Sequence, residues 1–499
     1  MSQALNYQQW QALASSLHFQ THGLINGKPY SAKSGKTFPL VNPATGKVLA
    51  EMTECAEADI DIAVSAARDA FEDRRWAGKS PAERKAVMLR WAELIRQHGN
   101  ELALTETLNM GKPIRDSLSI DVPATARCIA WYGEAIDKIY DEVAPTADNA
   151  VATITREPVG VVGIVVPWNF PMIMAAWKLG PALAAGNSVV LKPAEQSPLT
   201  ATRLAELALE AGIPPGVFNV VPGFGPTAGK HLGLHMDVDA LAFTGSTEVG
   251  KLFMQYAGQS NLKKVGLECG GKSPHIILAD CEDVTAAATA AAWGIFFNQG
   301  EMCTAGSRLI VQESIHDEVI AVIAEVAASL QPGDPLDPDT GLGAMVEKQH
   351  MERVLEYISI GLDEGATLAV GGGQAREESG GYYVEPTVFT DVTNDMRIAQ
   401  EEIFGPVLVV VKVKDAEEAL RVANDTCYGL GAAVWTANIN TAYRISRGIR
   451  SGMVYVNCYD ADDITVPFGG YRQSGIGRDK SLHAFDKYTE LKTTWIKLS

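Results

Sequence analysis

Between residues 56 and 140 apolar side chains recur at helical spacing. In SPAERKAVMLRWAELIRQHG, Ser80 is placed to cap a helix with Pro81 at its first position, and the region predicts helical scaffold. From 159 the rhythm changes to short apolar runs separated by helical stretches: VGVVGIVVP (159–167), SVVLKP (188–193), GVFNVVPG (216–223), DALAFTG (239–245) and PHIILAD (274–280). Such runs predict strands buried on both faces, and helices between them imply βαβ units in a parallel sheet. The alternation resumes with strands at Arg308–Val311, Val407–Val413, Gly431–Thr436 and Met453–Asn457, and helices near 314–329, 345–363, 415–424 and 438–449, predicting a second α/β domain. The first 20 or so residues read as a lead-in, and strand and turn signals follow through GKPYSAKSGKTFPLVNPATGK. The last segment, KYTELKTTWIKLS, alternates β-branched and polar residues and predicts an exposed strand, open to pairing with its own chain or with another subunit.

At 499 residues the chain exceeds what one core usually organises, so two or more domains are expected. Its 42 basic and 60 acidic residues give a net charge of −18, which repels nucleic acid and anionic membranes. With neither a long apolar span nor the basic flank and apolar core of a secretory signal, the expected location is the cytoplasm, with no membrane or nucleic-acid partner. Seven scattered cysteines without a C-x-x-C argue against a disulfide framework and a zinc site, so each is read as a reduced thiol.

Ligands of open parallel sheets bind beyond the carboxyl ends of the strands, which directs attention to the segments there. PWNFP presents Trp168 and Asn169 between Pro167 and Pro171; the Asn169 amide can face a developing oxyanion or merely form an Asx turn. In SVVLKPAEQSP, Lys192 and Glu195 can bind ribose hydroxyls or can be an exposed charged loop. FTGSTEVG ends a strand and opens a helix at Gly245-Ser246-Thr247, which suits a pyrophosphate. GFGPTAG is a weak glycine-rich match. Glu268, in KVGLECGGKSP, is either a general base with a raised pKa or a structural carboxylate. Its neighbour Cys269 points to the opposite face of the strand. Cys303, in FFNQGEMCTAGSR, has no histidine beside it, so a nucleophilic role requires a distant base such as Glu268.

Together PWNFP, LKPAEQSP, FTGSTEVG, LECGGKSP, FNQGEMCTAGSR, EEIFGPV and VPFGGYRQSGIGR resemble, in order and spacing, the aldehyde dehydrogenase superfamily, from about residue 25 to the C-terminus. The resemblance implies an α/β fold with a Rossmann-like NAD-binding domain (1–139 and 159–270), a second α/β catalytic domain (271–480), and a small β oligomerisation extension (140–158 and 481–499). It implies oxidation of an aldehyde to its carboxylic acid, with Cys303 as nucleophile, the Asn169 amide holding the oxyanion and Glu268 as general base. Cofactor contacts carried over are Lys192 and Glu195 on the adenosine ribose; Trp168 and Ser246 at the pyrophosphate; Gly225, Gly229 and Phe243 near the adenine; and Glu402 on the nicotinamide ribose, with Phe404 close by. Val165, Val166, Pro167, Gly245, Val249 and Gly270 complete the set. Glu195 would repel a 2′-phosphate, so NAD is favoured, with NADP as the alternative. A homodimer or homotetramer is implied as well.

Cys269 and Met302 depart from the residues common in the family, and both are apolar replacements that leave the chemistry intact. Phe170, Trp177, Met302 and Phe468 are the expected substrate contacts, together with the Asp460, Asp462 and Asp463 cluster in NCYDADDITVPFGG. That cluster attracts an ammonium or is a solvated loop. With the run GRDKSLHAFDKYTELKTTWI, the chain most resembles the branch acting on γ-glutamyl-γ-aminobutyraldehyde and other aminoaldehydes of polyamine breakdown; the alternative is a broad aliphatic or aromatic range. A non-catalytic protein of the same fold would have lost Cys303 or Glu268, and a CoA-acylating relative would lack the base.

Overall fold

The run at 159–167 forms the strand Val161–Val165, buried at every residue. In the computed structural model, which describes residues 5–499, this strand is the centre of an eight-stranded sheet. Ser188–Lys192 and then Phe218–Val220 lie on one side of it, and Ala240–Thr244 and then Lys264–Glu268 on the other, all five parallel. In chain order this is 3-2-1-4-5, the doubly wound Rossmann arrangement, whose order reverses between Val161–Val165 and Ala240–Thr244. PWNFP and Gly245-Ser246 follow those two strands, so the sequence segments of interest meet at the switch point. Strand Gly475–Ile476 returns late in the chain to pair antiparallel with Lys264–Glu268.

A second, seven-stranded sheet runs Thr367–Val370, Thr387–Thr390, Val407–Val413, Arg308–Gln312, Pro274–Ile277, Ala433–Trp435 and Tyr455–Val456, parallel except for its first pair. The chain passes from one sheet to the other across Cys269–Ser273. Helix Val284–Phe296 packs on this sheet through an alanine-rich face, buried at Ala287, Ala288, Ala291 and Ala292.

Ser80 caps helix Pro81–Gln97 as expected: its Oγ accepts from Glu83 N, and Glu83 answers in a capping box. The lead-in is more ordered than its sequence suggests. Asn6 and Gln9 form a capping box at helix Tyr7–Ser16, which buries Trp10 in the main core. The strands expected at 431–436 and 453–457 shorten to Ala433–Trp435 and Tyr455–Val456. The C-terminal strand Thr489–Lys497 pairs in antiparallel register with Ala150–Pro158 of its own chain, Thr489 opposite Pro158 and Lys497 opposite Ala150. It lies at the edge of a three-stranded sheet, so among the described residues its other edge meets no strand. No helix among the described residues is long and apolar enough to cross a membrane.

Candidate active site

Past helix Val284–Phe296 the backbone turns left-handed at two non-glycine residues, Asn298 (φ 49°) and Gln299 (φ 58°). Such strain persists only where surrounding contacts enforce it. Gln299 Oε1 accepts from Gly343 N at 3.0 Å, and Asn298 Nδ2 donates to the Glu301 backbone carbonyl at 3.2 Å. The turn delivers Cys303 to the floor of a cavity of about 1340 Å³ between the two sheets, which Glu268, Asn169, Trp168, Glu402 and Phe468 also line.

Asn169 Nδ2 donates to the Glu301 carbonyl at 2.8 Å, which fixes the amide from behind. Gly271 brings the Glu268 loop against the nucleophile: a Cβ there would lie 2.5 Å from the Cys303 carbonyl oxygen. Burial, reinforced by Asp479, pushes the Glu268 carboxyl up to about 8, opposed by Lys178, Lys487 and Arg478. Its Oε1 has no hydrogen-bond partner, an arrangement suited to a carboxylate that must accept a proton from water. Burial, then the charges of Glu268, Glu402 and Asp460, push the Cys303 thiol well above its ordinary value. The surroundings of Cys303 therefore favour the thiol over a resting thiolate.

At one end of the cavity lie Pro167, Trp168, Gly245, Ser246, Gly270, Glu402 and Phe404. The Trp168 ring meets Phe404 edge-on at 5.3 Å and His350 at 5.1 Å, and its carbonyl accepts from Ser197 Oγ at 3.2 Å. Glu402 accepts from Gly271 N at 3.0 Å, and burial raises its carboxyl to about 7. At the other end are Phe170, Trp177, Met302, Phe468, Asp460 and Asp462. Trp177 and Phe468 lie 4.9 Å apart, and Phe170 stacks with Phe297 at 6.5 Å. Asp460 has solvent access by area but is densely surrounded; burial and the Asp462 charge raise its carboxyl to about 6.

Of the remaining sequence candidates, Lys192, Glu195, Val165, Val166, Phe243, Gly225, Gly229, Val249 and Asp463 do not line this cavity. Lys192, almost fully buried, donates to Glu195 at 2.7 Å just after the Ser188–Lys192 strand. Val165 and Val166 are buried at the end of the central strand. Phe243 packs on Phe253 at 5.0 Å and underlies Gly245 as core rather than as an open face. Gly225 and Gly229 bound a single π-helical turn. The Ser246 hydroxyl accepts from Val249 N at 3.2 Å and so caps its own helix, leaving Val249 exposed. Asp463 turns away and accepts from Thr465 N at 2.8 Å and Thr465 Oγ1 at 2.6 Å. Cys269 also lines the cavity, but its sulfur packs against Gly250 in the core.

Sequence reasoning missed Lys178 and Asp479, an ion pair of 2.7 Å with both side chains 1% exposed. A signal existed in PMIMAAWKLG, because a lone lysine in an apolar helix must find a buried partner. Glu301 and His350 were missed too: Glu301 accepts from Val346 N at 3.1 Å, and His350 contacts the Phe404 carbonyl at 2.7 Å.

A cysteine that shares one cavity with a buried carboxylate and a fixed amide, beyond the switch point of a Rossmann-type sheet, suits a thiol-dependent oxidoreductase of the nicotinamide-nucleotide class. The chain belongs to the aldehyde dehydrogenase family, whose model matches residues 30–494. It is 53% identical over 489 residues to the NADP/NAD-dependent aldehyde dehydrogenase PuuC of Escherichia coli, covering 98% of each chain. A solved γ-glutamyl-γ-aminobutyraldehyde dehydrogenase from Burkholderia cenocepacia superposes with TM-score 0.98 at 58% identity, over 99% of this chain and 100% of that one. The indole-3-acetaldehyde dehydrogenase AldA of P. syringae, solved with NAD+ and IAA, gives TM-score 0.98 at 57% identity over the same shares. The protein is an NAD(P)-dependent aldehyde dehydrogenase, and the aminoaldehyde branch recognised in the sequence is among its near relatives.

Proposed function

We infer that the protein oxidises ω-aminoaldehydes or γ-glutamyl-γ-aminobutyraldehyde of polyamine breakdown to their acids through a Cys303 thioester. The Cys303 sulfur attacks the aldehyde carbon while its proton leaves toward Glu268 through water, giving a thiohemiacetal. Its oxyanion is held by the free N–H of the Asn169 amide and by the Cys303 backbone N–H. Bound nicotinamide supplies the hydride acceptor. Gly270 and Gly271 leave room for Glu402 and the loop it holds, and this close packing supports Glu402 as the ribose contact. The thioester is hydrolysed when the Glu268 carboxylate takes a proton from water, releasing the acid and the thiol. Lys192, Glu195, Trp168 and Ser246 bind the rest of the dinucleotide, with NAD favoured by Glu195.

One observation carries the substrate reading: Asp460 lines the cavity with no ion-pair partner among the described residues, beside an aromatic wall that accommodates a methylene chain. The Phe170, Trp177, Phe297 and Phe468 wall, with the likeness to an indole-3-acetaldehyde dehydrogenase, favours aromatic aldehydes as the second reading. Comparing kcat/KM for 3-aminopropionaldehyde with propanal and benzaldehyde, in wild type and Asp460→Asn, separates them. Equal values in wild type sink the aminoaldehyde reading. Retained turnover in Cys303→Ala would sink the thioester.

Residues 1–139 and 159–270 form the NAD-binding domain, joined by strand Gly475–Ile476, and 271–480 otherwise form the catalytic domain. The segments 140–158 and 481–499 join subunits as a homodimer or a dimer of dimers, supported by the open outer edge of Thr489–Lys497 and the exposed Leu491, Trp495 and Ile496. Seven free thiols accord with a reducing, cytoplasmic setting.

A further inference from the structure

The aldehyde end of the cavity carries more charge than the reaction uses. Asp460, Asp462 and Arg127 line it, and a fourth charge, Lys480, lies behind its aromatic wall with no solvent exposure. Lys480 Nζ donates to Asp462 Oδ1. The same nitrogen sits 5.4 Å from the centre of the Trp177 ring and 5.8 Å from that of Phe468.

The backbone imposes this position. Phe468 and Asp479 exchange two hydrogen bonds, of 2.8 and 2.7 Å, and Ser481 N donates to the Ile464 carbonyl at 2.8 Å. These bonds tie the substrate loop to the segment that carries Lys480. Lys480 and Ser481 both adopt left-handed backbone, with φ of 59° and 50°, which non-glycine residues keep only when held. A buried ammonium must be paired, so the Asp462 carboxylate is committed to Lys480. Asp460 has no such partner among the described residues.

We propose that Lys480 sets the charge preference of the substrate tunnel. By neutralising Asp462 and holding a cation behind Trp177 and Phe468, it leaves Asp460 as the single carboxylate free for a substrate ammonium. The tunnel then accepts aldehydes with one positive charge and disfavours those with a second ammonium. This rests on reading the cavity end beside Asp460 as the ammonium subsite. Lys480 touches no reacting atom; it is a specificity-determining residue that acts through Asp462.

The test measures kcat/KM for succinic semialdehyde, butanal, 3-aminopropionaldehyde and N-(3-aminopropyl)-4-aminobutyraldehyde, which carry charges from −1 to +2. Lys480→Met frees Asp462 and raises the preference for each added positive charge by about ten-fold, more at low salt than at high. Lys480→Arg keeps the pair and the wild-type ratios. Asp462→Asn uncovers the Lys480 charge and shifts the ratios the opposite way, and the double variant Lys480→Met/Asp462→Asn returns to within about two-fold of wild type. Unchanged ratios in Lys480→Met, or a double variant that keeps the gain, overturn the proposal. Turnover of butanal reports folding; should Lys480→Met fail to fold, Asp462→Asn decides, and ratios that do not fall overturn the proposal. A wild type indifferent to charge defeats the aminoaldehyde reading, yet a shift in Lys480→Met would still stand on its own.

Discussion

Glu402 lies so close over Gly270 that a Cβ on that glycine would fall 1.9 Å from the Glu402 Oε2. The carboxylate is therefore positioned by the absence of a side chain as much as by its bond from Gly271 N. Gly270→Ala must expel Glu402 from the cofactor end of the cavity. We expect KM for NAD to rise about ten-fold or more, with the melting temperature nearly unchanged; steady-state kinetics at saturating aldehyde measure it.

Glu268 makes a prediction with a defined sign. Its carboxyl is raised from 4.5 to about 8 by burial, so between these values the folded chain keeps a proton that the unfolded chain has lost. The stability that the group contributes is complete below 4.5 and is lost as pH rises toward 8, after which it stays constant. Glu268→Gln removes this dependence. The melting temperature of Glu268→Gln minus that of wild type grows from pH 5 to 8 and then levels. Hydrolysis of the acyl-enzyme, followed after acid quench, rises through pH 8 in wild type and is lost in the variant.

Lys178 and Asp479 lie within the charge environment of that base, and their effects on it are opposite. Lys178 favours the Glu268 carboxylate and Asp479 disfavours it. Lys178→Met moves the acid limb of acyl-enzyme hydrolysis to higher pH, whereas Asp479→Asn moves it lower. Lys178→Met also costs about 1–3 kcal/mol of stability, less than for a buried carboxylate left alone, because Asp479 keeps Lys487 as a second partner. Denaturant unfolding measures that cost, and equal shifts of the acid limb in the same direction would refute the electrostatic account.

The sequence made the strands legible where burial on both faces yields uninterrupted apolar runs, as at 161–165 and 407–411. From their order the doubly covered sheet followed. Helix Tyr7–Ser16 escaped because its signal is one capping box and one buried Trp10 rather than a periodic face. Among site residues, Cys303, Glu268 and Asn169 stood out because each ends or follows a recognisable element. Lys178, Asp479 and Lys480 did not, because a buried charge is meaningful only with its partner, and these partners lie 301 and 18 residues away. The three acidic residues at 460–463 looked equivalent in sequence, yet one lines the cavity unpaired, one is held by Lys480 and one caps its own turn.

The C-terminal strand provides the remaining prediction. Residues Glu490–Lys497 are exposed although the strand is paired along its full length with Ala150–Pro158. A two-sided exposed strand that carries Leu491, Trp495 and Ile496 (59%, 65% and 49% exposed) is an aggregation hazard for a lone chain, and the proposed subunit pairing would remove that hazard. Charges at Leu491 and Trp495 oppose such pairing without touching the intrachain ladder, whose bonds are main-chain. Leu491→Asp/Trp495→Asp should therefore lower the assembled mass in light scattering at equal concentration while leaving NAD affinity within about two-fold, because neither residue lines the cavity. An unchanged mass would exclude this strand from the subunit contact, and a loss of NAD binding together with mass would show that the strand supports the fold rather than the assembly.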